Sequence, residues 1–110
     1  MGYDVHITRR KDWCDPGSDI TADDWLAYVA TDPQLRLDPT SKRHIVTMEI
    51  KCQYPDPWLE WWEGCIYTKN PDEPILAKML QIASSLGARV QGDDGEFYRS
   101  ANFEDTYHES

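Results

Sequence analysis

From Tyr3 to Thr8 the chain alternates, with Tyr3, Val5 and Ile7 on one side and Asp4, His6 and Thr8 on the other. A period of two predicts a half-buried strand over residues 3–9, apolar face inward. Residues 9–19 are polar and punctuated by Asp15-Pro16-Gly17, the signature of a loop. A helix is expected to start at Ile20-Thr21-Ala22-Asp23-Asp24-Trp25. The Thr21 hydroxyl suits the orphan N–H groups of the first turn, and Asp23 and Asp24 favour its positive end. Ile20 and Trp25 occupy the two hydrophobic-staple positions. This helix would bury Trp25, Leu26 and Val29 and stop near Asp32-Pro33, because a residue before proline avoids helical backbone. Residues 35–38 fit a short extended piece.

Alternation returns over residues 44–54. Val46, Met48, Ile50, Cys52 and Tyr54 share one face, and Thr47, Glu49, Lys51 and Gln53 the other, until Tyr54-Pro55-Asp56-Pro57 breaks the pattern. Trp58–Trp62 and Cys65–Lys69 then read as a hairpin around Glu63-Gly64. Asn70 as cap and Pro71 at the first helical position predict a second helix, running to about Leu86. Its ridge is Ile75, Met79, Ile82 and Leu86, flanked by Leu76, Leu80 and Ala83, an amphipathic stripe that packs on a sheet. Gly87 is the expected stop. Residues 88–91 and 96–99 read as strands joined by the turn Gly92-Asp93-Asp94-Gly95. After Ser100 the chain is polar and is expected to fray. The order predicts an α+β fold, a mostly antiparallel sheet with two helices packed against it. We expect one domain over residues 1–100 and an acidic, flexible tail over residues 101–110.

The hairpin holds three of the five tryptophans. With Glu63-Gly64 as a two-residue turn, Trp62 faces Cys65, Trp61 faces Ile66 and Glu60 faces Tyr67. Leu59, Trp61 and Ile66 then share the face that belongs on the core. Trp58, Glu60, Trp62, Tyr67 and Lys69 share the other, aromatic yet charged. Two readings stand for that face. A helix covers it, with Glu60 and Lys69 at the rim, or it faces a binding partner, since interface centres are rich in Trp and Tyr.

Length and charge narrow the picture. The 110 residues suit a single core. Twenty acids against eleven bases leave a net charge of −9. Six of those acids, Asp93, Asp94, Glu96, Glu104, Asp105 and Glu109, follow position 91, against Arg99 alone. Nucleic-acid binding is disfavoured, because affinity there comes from neutralising phosphates. An acidic surface serves solubility or a basic protein partner. No apolar run has the length of a membrane span, and no charged-then-apolar leader opens the chain, so a cytoplasmic location is expected. Cys14, Cys52 and Cys65 are odd in number and widely spaced, which argues for free thiols rather than a disulfide framework.

Candidate chemistry is sparse. The acidic turn lacks the spacing of a calcium loop. His6, His44 and the three cysteines show no pair with zinc-ligand spacing. His6 with Asp4 could serve as an acid–base pair, though a strand histidine of this kind is more often solvated or locally bonded. Arg9-Arg10-Lys11 reads as a counterweight to the acidic tail. No nucleophile, metalloprotease, phosphate-loop or dinucleotide motif is present. We expect no catalytic residues, no metal and no cofactor, and place partner contacts at Trp58, Glu60, Trp62, Tyr67, Asp93, Asp94 and Glu96. A pocket for a small molecule, a modest enzyme, and a homodimer joined through the Trp face are the alternatives.

Two stretches carry a resemblance. MGYDVHITRRKDW, continuing into ITADDWLAYVATDPQLRLD, and KNPDEPILAKMLQIASSLGARVQGDDGEFY together cover roughly two-thirds of the chain. They resemble a group of small acidic bacterial proteins that look like immunity proteins of toxin–immunity systems. The resemblance implies a non-enzymatic, cytoplasmic protein that neutralises a cognate toxin by binding it. It implies no catalytic residues, and residues 39–67 lie outside the matching pattern.

Overall fold

A computed structural model describes residues 3–108. Its elements are β1 (Asp4–Thr8), α1 (Ala22–Thr31), β2 (Leu35–Leu37), β3 (Val46–Met48), β4 (Trp58–Trp62), β5 (Cys65–Lys69), α2 (Glu73–Leu86), β6 (Arg89–Gly92), β7 (Phe97–Tyr98) and β8 (Thr106–Tyr107). The strands form one sheet in the order β2-β3-β4-β5-β1-β6-β7-β8, every neighbouring pair antiparallel. The expected α+β fold, with two helices packed on an antiparallel sheet, is the one observed.

Both helices lie on one face. β1 contributes Val5 and Ile7, β4 Leu59, β5 Ile66 and β6 Val90 to a core completed by Trp25 and Val29 of α1 and Ile75, Leu76, Met79 and Ile82 of α2. The Thr21 side chain accepts from the Asp24 N–H, and Ile20 and Trp25 are both fully buried, as the cap and staple predict. α1 is tied to the sheet side by the Trp25 Nε1–H, which donates to the His44 carbonyl at 3.0 Å. Between the helices Lys78 and Asp32 form a buried ion pair at 2.7 Å.

Several expectations need correction. Asn70 does not cap α2. Its backbone is left-handed (φ 49), and its side chain instead accepts from the Tyr3 N–H at 2.8 Å, clamping the start of β1. Asp72 is the cap, accepting from the Ile75 N–H, with a proline in the first turn. Only Val46–Met48 of residues 44–54 pairs as a strand. His44 enters with a left-handed backbone (φ 51), and beyond Glu49 the chain is held by side chains, the Gln53 N–H on Asp72 and the Tyr54 hydroxyl on the Asn70 carbonyl. Arg9 and Arg10 do not balance the tail; they pair with Asp24 and Asp19. Nor is residue 101 onward a free extension, because Thr106–Tyr107 pairs with β7 and the Arg99 guanidinium lies 4.6 Å over the Tyr107 ring. The first two positions of the expected domain and the last two of the expected tail lie outside the described residues.

Candidate functional site

The face of the sheet turned away from the helices is built by the alternate set of strand residues. His6 stands between Tyr67 of β5 and Gln91 of β6 in register. Glu60 opposes Tyr67, and Trp62 opposes Cys65. This is the pairing expected of a two-residue turn, and both turn residues adopt the positive φ such turns require, 46° at Glu63 and 87° at Gly64. Trp58, Glu60, Trp62 and Tyr67 are therefore brought onto one face, and no helix among the described residues covers it.

The segment of residues 9–19 crosses this face instead. Trp13 lies flat on the His6 imidazole, with ring centroids 3.9 Å apart and planes 8° from parallel. The Trp13 N–H donates to Gln91 Oε1 at 2.8 Å, and Arg10 donates to the Trp13 and Glu63 carbonyls. The segment then passes the hairpin tip, where the Ile20 N–H donates to the Gly64 carbonyl at 2.9 Å. A groove of about 400 Å³ remains, lined by Asp4, His6, Trp13, Trp62, Tyr67 and Lys69 among others. That volume falls within the range of small-ligand sites.

Each expected site residue has a definite environment. Trp62 is the exposed aromatic, 45% accessible, with the Arg43 guanidinium 3.8 Å over its ring. Arg43 also donates to Glu60 at 2.8 Å, and the Tyr67 hydroxyl donates to the same oxygen at 2.6 Å. Glu60 is thus a buried bracket rather than a free contact. Burial, then the bond to Glu60, pushes the Tyr67 phenol up to about 12, so it remains a donor at neutral pH. Trp58 is half-buried and meets Tyr67 edge-on.

The acidic turn divides. Asp93 sits beside the groove, accepting from the Asp4 N–H at 2.8 Å and lying 3.1 Å from His6 Nε2. Asp94 is exposed. Glu96 belongs to the opposite face, where it accepts from the hydroxyls of Tyr3 and Tyr98, residues of the helix-side core and its margin. Glu96 does not join the aromatic patch.

His6, expected as a solvated or locally bonded residue, is 5% accessible and bonded to the distant Asp93. Burial lowers its proton affinity below the ordinary histidine value, against the opposing pull of Asp93, Asp4 and Asp12. Its pairing partner is Asp93 rather than Asp4 alone. Trp13 was missed altogether. It is the one tryptophan in a polar loop, and an isolated large aromatic among loop residues is the available signal that the loop is fastened to something. Comparisons with protein-family models, curated proteins and solved structures gave no match.

Proposed function

We propose that this chain is a non-enzymatic binding protein, of the cytoplasmic immunity type, that neutralises a basic partner protein by presenting the helix-free face of its sheet. The observation that carries the reading is that face itself. Both helices pack on one side, and the other displays Trp62, Tyr67 and Trp13 around a groove, with Trp58 edge-on to Tyr67, Asp93 bonded to the groove residues Asp4 and His6, and Asp94 exposed next to it in the chain. Aromatic anchors supply most of an interface's affinity, and surrounding acids steer a basic partner and favour it over others. The net charge of −9 works in the same direction. Trp62 is the principal anchor, Glu60 holds the patch in shape, and Glu96 acts only through the fold.

The test is co-expression with the proteins encoded beside it, followed by titration of any co-purifying partner. The reading expects a stoichiometric complex with a basic protein whose toxicity disappears on binding. Trp62→Ala should weaken that complex by ~2 kcal/mol or more, the hot-spot threshold. Asp94→Lys should slow association, and both variants should melt near the wild-type temperature. A chain that purifies alone, or a complex indifferent to both changes, removes the reading. A second reading, a small-molecule site, is favoured by the concavity of the groove; a metabolite that raises the melting temperature by mass action would carry it. A homodimer through the Trp62 face would show as concentration-dependent light scattering.

A further inference from the structure

We propose that Asp4, His6 and Asp93 form a binding site for a divalent cation of the zinc class at the margin of the groove. One donor atom from each, an imidazole nitrogen and two carboxylate oxygens, lie within 4.8 Å of one another. Closing such a set around an ion asks for small side-chain movements only, since zinc–ligand bonds are ~2.0–2.2 Å for these donors.

The three come from two separate segments of the chain. Asp4 and His6 alternate along β1, so a strand's period of two puts both side chains on the same face. Asp93 comes from the turn between β6 and β7, and its Oδ2 is held by the Asp4 N–H at 2.8 Å. That bond leaves Oδ1 directed at His6 Nε2. The flat contact with Trp13 fixes the plane of the imidazole. A ligand set fixed by a main-chain hydrogen bond and by packing against a neighbouring ring is what preorganised metal sites require.

Charge points the same way. Two carboxylates converge here, and the guanidinium on the groove wall, Arg10, is engaged by Asp19 at 2.8 Å. The cross-strand partner of Asp4 is Lys69, whose ammonium is the competing counter-ion. The donor set also selects the ion. An imidazole with two carboxylates suits zinc and its transition-metal neighbours, whereas calcium asks for six to eight oxygens. Three protein ligands beside an open groove leave a position for water or for a donor from a bound molecule.

The experiment uses the full chain, freed of metal by a chelator and then titrated with zinc chloride by calorimetry. Magnesium chloride is the control, and cobalt(II) absorption reports the ligand set. Saturable one-to-one zinc binding is expected, with no magnesium response. Asp4→Asn and Asp93→Asn should each weaken zinc by at least ~10-fold, the low end of what even outer-shell changes cost. His6→Gln should abolish binding, but it alters a buried stack, so the two aspartate variants carry the test. His108→Gln, which alters an exposed imidazole outside this groove, should bind as wild type does. Absence of saturable zinc binding overturns the proposal. So does wild-type affinity in folded Asp4→Asn, or loss of binding in His108→Gln.

Discussion

Replacing Trp13 by alanine tests whether the crossing segment is a fastened part of the helix-free face. Trp13 is half-buried, flat against His6, and its main chain is bonded to Gln91. Truncating a fully buried Trp costs ~3–5 kcal/mol. Half-burial reduces that to about 2 kcal/mol, including a ring-stacking contribution of ~0.5–1.5 kcal/mol. At ~4 °C or more per kcal/mol for a domain near this size, the melting temperature should fall by about 10 °C. The same change has a second readout. Burial holds His6 below its ordinary value of 6.5, while Asp93, Asp4 and Asp12 pull it upward. Because the folded value is depressed, the unfolded chain takes up the proton more readily. The contribution of His6 to stability is therefore complete above pH 6.5 and declines as the pH falls from there toward the folded value. Without Trp13 water reaches the ring, desolvation weakens, and the three acids raise the proton affinity. The acid-side loss should shrink or reverse. Urea unfolding at pH 8 and pH 5.5, with an NMR titration of the imidazole in chelator-treated protein, reads both effects. A melting temperature within ~2 °C of wild type together with an unmoved His6 titration would refute the account of this face.

Two further outcomes follow from the packing. Lys78→Ala should cost ~3–5 kcal/mol in urea denaturation, because it strands Asp32 in the interior with only the Tyr28 hydroxyl and Gln34 N–H for partners; a loss under ~1 kcal/mol would mean that water replaces the ammonium. Gly64→Ala should destabilise by ~1 kcal/mol or more, since φ there is +87° and a Cβ would collide with the Asp19 side chain. A thermal melt indistinguishable from wild type would show that residues 9–19 are not anchored at the hairpin tip.

The hairpin was legible because its information is local. A two-residue turn fixes register, register fixes faces, and Glu60 opposite Tyr67 follows. The Thr21 cap and the stripe of α2 were legible for the same reason. The start of α2 was not, because Asn70 and Asp72 are both competent caps and each precedes a proline-containing turn. Only the tertiary bond between Asn70 and Tyr3 decides between them. The groove was the least legible feature. Trp13 meets Gln91 across 78 positions, and Asp4 meets Asp93 across 89. No periodicity carries such pairings. Knowing that a face is uncovered also requires knowing that both helices fold to the other one.

The environment of Glu60 bears most directly on what the exposed aromatics can do. A carboxylate on an aromatic surface invites the reading of a direct contact to a basic partner. Here it accepts from Tyr67 and Arg43, and Arg43 in turn lies over Trp62. The Arg43 carbonyl accepts from the Trp61 N–H at 2.9 Å, which fastens the arginine's own backbone to the edge of β4. One carboxylate thereby orients the phenol on one side and, through the guanidinium, the indole on the other. The exposed indole of Trp62 is held before any partner arrives, so little side-chain entropy remains to be lost on binding. Negative charge for steering must then come from acids whose carboxylates are not engaged in this way, and Asp94, exposed on the turn beside Asp93, fits that role better than Glu60 or Glu96. On the proposed function, aromatic grip and electrostatic attraction fall to different residues, and substitution at Trp62 and at Asp94 should then separate dissociation from association.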